Sequence, residues 1–409
     1  MTDSTINDEF TLPRAALRGL PLSARLALRA LSRMALGTLS IVMPDGRVFR
    51  FAGARNGVEG TILVRDHRMF GRVIRGGSLG FAEAYLDGLW DSPDIMAVFY
   101  LAAINAEAVD GVSRGTWIVN ALARAKHMLR PNTRKGSRRN IHAHYDLGND
   151  FYRQWLDPSM TYSAGLFSSP DMTLEQAQHA KYANLARLTG IAPDHRVVEI
   201  GCGWGGFAEY AAREIGCHVT GITISREQLA HGQKRIFEAG LNERVTLEFR
   251  DYRDLEGSFD RAISIEMFEA VGEKYWPDYF GKLRNIVKPG GAAGLQVITI
   301  ADRWYESYRR RADFIQRHVF PGGMLPSPAV LANQAERAGF AVGARQTFGL
   351  DYARTLAEWH VAFNRAWPQM AQRRFDERFR RLWTCYLAYC EAGFRSQSID
   401  VEQVVLHRG

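Results

Sequence analysis

Residues 197–206 read VVEIGCGWGG, and they constrain the fold of this 409-residue chain more than any other stretch. Val197, Val198 and Ile200 mark a strand, Gly201, Gly203 and Gly205 mark a tight turn, and a helical pattern starts at Phe207. A strand that passes through a glycine turn into a helix belongs to a parallel sheet with helices on its faces. The backbone amides at such a helix start form a cradle for a nucleotide cofactor. The glycines alone are weak evidence, because Gly201, Gly203 and Gly206 also satisfy the dinucleotide fingerprint. A dinucleotide site wants an acid about 20 residues further on for the ribose hydroxyls. Here the second strand candidate ends in Gly221-Ile222-Thr223-Ile224-Ser225, with no acid. The acid is Glu199, two residues before the first glycine, where it can meet the ammonium group of an amino-acid cofactor. A glycine turn beside a buried capping acid is the plain alternative.

That placement resembles motif I of class I methyltransferases that use S-adenosylmethionine. From about Ile141 onward the chain alternates strands and helices. Strand candidates over 196–200, 218–222, 246–249, 261–265 and 294–299 predict a doubly wound parallel α/β sheet. Pro289-Gly290-Gly291 predicts a sharp turn before the fifth strand. Residues 302–320 form an aromatic and basic insertion with a helical pattern, ending at Pro321-Gly322-Gly323.

Residues 1–113 predict a small mixed domain. A helix is expected over 20–39, broken at Pro21, with Arg25, Arg29 and Arg33 on one stripe. Leu22, Leu26, Leu28, Leu31 and Met34 lie among and opposite them, as in an interfacial amphipathic helix. A solvated face on a core-packed helix is the alternative. Short strands over 40–51 and 60–65, then helices over 81–86 and 96–105, complete this part. Residues 114–140 read as a basic linker, with no acid between 121 and 140 and a cluster at Arg134, Lys135, Arg138 and Arg139. The net charge of +8 suits an anionic partner, either nucleic acid or a membrane surface. No apolar run approaches the roughly 18 residues of a membrane span. The start of the chain lacks the pattern of a secretory signal, so a cytoplasmic protein is expected. Cys202, Cys217, Cys385 and Cys390 show no spacing for a disulfide framework or a metal.

Ordered blocks over residues 140–409 are similar to the cyclopropane fatty acid synthase family. They include His144-Tyr145-Asp146-Leu147-Gly148, Met160-Thr161-Tyr162-Ser163, the glycine turn, Thr223 to Gln228, Asp251-Tyr252, Glu266-Met267-Phe268-Glu269, Phe320-Pro321-Gly322-Gly323, Asp351-Tyr352 and Tyr389-Cys390-Glu391. The first 110 residues suit the longer bacterial members, whose extra domain engages lipid. The resemblance implies carbon transfer from S-adenosylmethionine to a cis double bond in a phospholipid acyl chain. The partners it implies are an unsaturated phospholipid and the anionic inner face of a membrane, not nucleic acid, and a homodimer is compatible with it. Tyr145, Tyr162 and Ser163 would close over the methionine part. Glu199, Gly201, Gly203 and Gly205 would hold the amino-acid moiety and ribose. Thr223, Ser225 and Gln228 would replace the ribose-binding acid, and Asp251 with Tyr252 would meet adenine.

An alkene is a weak nucleophile, and its methylation leaves a carbocation. The site must be dry, apolar and cation-stabilising, with a base placed late on the path. In the family that base is a bicarbonate held by a cysteine, a glutamate, a histidine and a tyrosine. Glu269 and Tyr352 match the glutamate and the tyrosine. Ala164 stands at the cysteine position and Gln296 at the histidine position. The resemblance therefore carries S-adenosylmethionine onto this chain but leaves bicarbonate without half of its ligands. The expected consequence is that Glu269 takes a proton directly and the product is a methyl-branched unsaturated chain, with cyclopropane as the alternative. A transferase for another apolar acceptor and a catalytically silent lipid-binding homologue are the rival readings. Cys390 matches a C-terminal family cysteine; its apolar surroundings favour a structural thiol.

Overall fold

The computed structural model describes residues 15–106, 147–311, 313–371 and 375–409. The chain divides into two compact units. One comprises Met1–Lys126, Arg311–Phe314 and Ala371–Ser396, and the other comprises His127–Arg310, Ile315–Met370 and Gln397–Gly409.

In the first unit, β1 (Leu36–Val42), β2 (Val48–Ala52), β3 (Arg55–Val64) and β4 (Trp90–Asp91) form a sheet in the order β2-β1-β3-β4. β1 is antiparallel to β2 and parallel to β3. The expected helix over 20–39 stops early: it spans Leu22–Leu31, and Leu36 already begins β1. A buried asparagine accounts for the switch. Asn105 accepts from the amides of Ala35 and Leu36 at 2.8 and 3.0 Å and donates to the Leu36 and Leu101 carbonyls. Those bonds tie the chain to the end of the helix Ile95–Ile104 and override local helical preference. The helix Glu377–Arg395 also belongs to this unit, with Tyr389 edge-on to Phe99 at 5.7 Å. Its Arg381 donates to the carbonyls of Tyr85 and Trp90 at 2.6 and 2.7 Å.

The second unit holds the sheet read from the glycine turn. β5 (Arg196–Ile200), β6 (His218–Thr223), β7 (Val245–Phe249), β8 (Phe259–Ile265) and β9 (Val287–Ile300) are the expected five strands. Two more, β10 (Phe340–Thr347) and β11 (Ile399–Arg408), extend the sheet to the order β10-β11-β9-β8-β5-β6-β7. β11 runs antiparallel to both of its neighbours, β9 and β10. The core lies between sheet and helices. In the helix Trp276–Ile286, the buried Trp276, Tyr279, Phe280, Leu283 and Ile286 recur at helical spacing and form one apolar face. Pro289-Gly290-Gly291 is not a turn before β9 but an irregular stretch within it: Phe259 pairs with Val287, whereas Arg261 already pairs with Ala292. That bulge absorbs the proline, which cannot donate to a regular ladder. The insertion after β9 contains helices Asp302–Tyr308 and Phe314–His318. No helix among the described residues is long and apolar enough to cross a membrane.

Candidate functional site

The site starts where β5 ends. Gly201 has φ +85°, and a Cβ there would meet Met267 Cγ at 2.7 Å, so both conformation and space demand glycine. The amides of Gly201 and Cys202 donate to the Ile222 carbonyl at 2.9 and 3.0 Å, which pins the turn to β6. Gly203 has φ +51° and faces open space: a Cβ there would meet nothing within 4 Å. Gly205 is the left-handed residue that precedes the helix Gly206–Tyr210.

Glu199 is 3% exposed and sits in register with Gly221 and Ile263 on the neighbouring strands. Its Oε2 is buried with no hydrogen-bond partner among the described residues. Burial pushes its carboxyl up to about 8, while Lys181 and Arg235 pull it down. An orphaned carboxylate oxygen wants a cationic donor. Beside a glycine turn with open space, these residues fit the ammonium and ribose of S-adenosylmethionine.

Further along this edge, Ser225 caps the helix Arg226–Glu238, accepting from the Gln228 amide at 3.3 Å. Thr223 Oγ1 accepts from the Ser225 amide and lies 3.1 Å from Gln228 Oε1. All three are buried. Asp251 is paired with Arg253, which donates from Nε and Nη2 at 2.8 and 2.7 Å, and Tyr252 lies edge-on to Tyr279 at 5.4 Å. Tyr145 lies outside the described residues, as does the basic linker over 114–140. Tyr162 joins an aromatic wall, 5.3 Å from Trp359, 5.5 Å from Tyr152 and 5.6 Å from Trp155 between ring centroids. Ser163 accepts a 2.5 Å hydrogen bond from the ammonium of Lys181.

No sequence signal marks Lys181 as a site residue, yet it is fully buried on the inner face of the helix Leu174–Thr189. Burial lowers it to about 7, and the charges of Glu266, Asp157 and Glu199 oppose that fall.

A second carboxylate organises the other end of the site. Glu266 accepts at Oε1 from the Ala164 amide at 2.8 Å and from Gln296 Nε2 at 2.7 Å. At Oε2 it accepts from the Tyr352 hydroxyl at 2.6 Å. Gln296 is held in turn by Gln403 Nε2 at 3.0 Å, and Gln403 accepts from Asn184 at 2.8 Å. Gln296 and Gln403 are register partners on β9 and β11, so the polar ladder crosses the sheet. Glu269 is placed differently. Its Oε1 accepts from the Ile298 amide at 2.5 Å, and its Oε2 is buried with no partner among the described residues. Burial and the Glu266 charge push Glu269 up to about 8, so near neutral pH it is mostly a neutral acid. Tyr352, Gln296 and Ala164 are thus brought together, but around Glu266, to which sequence reasoning gives no role. The only signal for it is a second acid three residues before Glu269.

Cys390 belongs to the first unit, on the helix Glu377–Arg395. Its surroundings and the charge of Asp313 push its thiol well above the ordinary cysteine range, which suppresses thiolate chemistry.

The comparisons with known proteins agree with this geometry. The family model of mycolic acid cyclopropane synthetase matches residues 132–404. The chain is 36% identical over 417 residues to the tuberculostearic acid methyltransferase UfaA1 of Mycobacterium tuberculosis, covering 97% of this chain and 94% of that protein. It is 35% identical over 384 residues to the cyclopropane-fatty-acyl-phospholipid synthase of Escherichia coli, covering 90% and 96%. Among solved structures, the cyclopropane synthase MmaA2 from Mycobacterium tuberculosis matches with a TM-score of 0.62 and 32% identity, over 66% of this chain and 98% of that one. The mycolic acid cyclopropane synthase CmaA1, in complex with SAH and CTAB, matches with a TM-score of 0.62 and 30% identity over the same shares, 66% and 98%. A glycine turn fit for an amino-acid nucleoside, a sheet of this order and matches of this extent lead to one conclusion: the chain belongs to the mycolic acid cyclopropane synthetase family and is an S-adenosylmethionine-dependent lipid methyltransferase.

Proposed function

We propose that this enzyme transfers a methyl carbon from S-adenosylmethionine to the cis double bond of an unsaturated phospholipid acyl chain and releases a methyl-branched unsaturated chain. The observation that carries the reading is the pair of Ala164 and Gln296, both of which spend their donors on the Glu266 carboxylate. Both donors therefore hold a carboxylate of the chain itself, at positions where the family resemblance implies ligands of a bicarbonate. The relative UfaA1 is named a methyltransferase rather than a cyclopropane synthase, in keeping with this reading. Ring closure remains the second reading, because Glu269 and Tyr352 match family positions and the Escherichia coli relative is named a cyclopropane synthase.

S-adenosylmethionine, when bound, supplies an electrophilic methyl group on a sulfonium sulfur. Glu199 holds its ammonium, and the turn at Gly201 to Gly205 lets the backbone approach the ribose. Tyr145, Ser163, Thr223, Gln228, Asp251 and Tyr252 complete the cofactor side. Tyr162, Tyr152, Trp155 and Trp359 exclude water and offer aromatic faces to a cationic chain. The purified enzyme, with S-adenosylmethionine, is expected to methylate vesicles of an unsaturated phospholipid and to leave the saturated analogue unchanged. Equal incorporation into both would overturn the assignment of the double bond as acceptor.

The double bond lies inside a bilayer, so the enzyme must dock to reach it. The helix Leu22–Leu31 leaves Leu22 and Leu26 70% and 45% exposed beside the exposed Arg29, with Arg33 just beyond its end. Apolar and basic groups on one face suit an anionic lipid surface, where each basic residue contributes about 1 kcal/mol. We place the first unit and the basic linker in this role, at the inner face of the membrane. Sedimentation with vesicles is expected to show tighter binding to anionic than to neutral lipid, weakening as salt is raised. Equal, salt-independent binding to both would contradict the electrostatic part.

A further inference from the structure

We propose that the Glu266 carboxylate is itself the proton acceptor of the reaction, a base built into the chain; this rests on the reading of methyl transfer to an acyl double bond. Three donors from distant segments converge on its two oxygens: the Ala164 amide, the Gln296 side chain and the Tyr352 hydroxyl. Hydrogen bonds of this kind stabilise the ionised form. A carboxylate offers about four lone-pair sites, so one remains open, on Oε2. The backbone agrees with a functional placement. Glu266 has φ +48°, a left-handed conformation that a glutamate adopts at a cost, and its amide is held by the Gln296 carbonyl at 2.8 Å.

Two neighbouring carboxyls do not both ionise readily in a dry site, and the environments here divide the roles. Burial raises both carboxyls, but three hydrogen-bond donors and the attraction of Lys181 offset it at Glu266, whereas Glu269 has only the Ile298 amide and its own backbone to offset burial and the Glu266 charge. Glu266 is the carboxylate and Glu269 the acid. In the step, the alkene pair forms the new carbon–carbon bond to the methyl group, and the sulfur keeps the pair of the bond that breaks. The cation then forms at the neighbouring chain carbon. Glu266 Oε2 takes a proton from the chain carbon next to it, and the freed C–H pair becomes the new double bond. Glu266 ends as a neutral acid, and no other reactant is consumed. The aromatic wall stabilises the cation while it lasts.

Wild type, Glu266→Gln and Glu266→Ala are compared on unsaturated phospholipid vesicles in buffer stripped of bicarbonate. Wild type is expected to turn over without bicarbonate and to ignore its addition. Both variants keep S-adenosylmethionine affinity within about twofold and lose turnover by at least about a hundredfold, the scale of a lost general base. Glu266→Ala regains turnover with added bicarbonate or formate, which enters the space among the Ala164, Gln296 and Tyr352 donors. Without cofactor, ¹³C-bicarbonate binds Glu266→Ala and not wild type, seen as a broadened carbon resonance. If Glu266→Ala does not fold, the near-isosteric Glu266→Gln still decides the question. A Glu266→Gln enzyme at the wild-type rate, or a wild type stimulated several-fold by bicarbonate, overturns the proposal. Wild type that binds S-adenosylmethionine yet modifies no acyl chain overturns the functional reading beneath it.

Discussion

Glu199→Ala lowers affinity for S-adenosylmethionine by at least about tenfold in a protein that still folds. The buried carboxylate oxygen that lacks a partner among the described residues is the group that the cofactor ammonium would satisfy. A hydrogen bond to a charged group contributes about 1.5–3 kcal/mol, and each 1.4 kcal/mol is about tenfold in affinity. The alanine keeps the glycine turn, whose geometry depends on Gly201 and its bonds to Ile222. A pH dependence accompanies the loss. Burial lifts the Glu199 carboxyl to about 8, so below that pH it is largely neutral and cofactor binding must ionise it. Wild-type affinity therefore rises as pH climbs from about 6 toward about 8, with release of a proton, and the alanine variant loses this contribution to the slope. Titration calorimetry at several pH values checks both effects. Unchanged affinity in a folded variant would remove Glu199 from the cofactor site.

The features legible in the sequence alone are those whose signals are local. β5 to β9 read as apolar runs bounded by glycine or polar turns, because parallel strands covered on both faces have little reason to carry polar residues. β10 and β11 do not read as strands. β10 alternates weakly and has one buried residue, Phe340, while β11 buries Glu402 and Gln403 within its run, which blurs the apolar signal. Without β11 the partner of Gln296 stays hidden, since Gln403 meets it only through the sheet register. Glu266 is invisible for the same reason in stronger form. Its partners Gln296, Tyr352 and Ala164 lie 30, 86 and 102 residues away. No spacing rule connects them, and only the fold does. Lys181 passes as an ordinary helical charge, although its neighbours Ala177, Gln178 and Leu185 are buried on the same face. The cofactor is legible because glycine, acid and strand sit within ten residues of each other, the sheet because its five apolar runs are each local, and the family because its blocks recur in order over residues 140–409.

The product is the second large effect, because it is nearly all-or-none. In the proposed reaction Glu266, held by Ala164, Gln296 and Tyr352, takes its proton from the chain, whereas a base acting on the new methyl group would close a ring. Cells that make the protein are grown with methionine labelled by three deuteriums on its methyl group, and their fatty acids are analysed by gas chromatography and mass spectrometry after derivatisation of double bonds. The expected product is a branched acid that keeps all three deuteriums and still carries a double bond. A cyclopropane acid with two deuteriums and no double bond would contradict it.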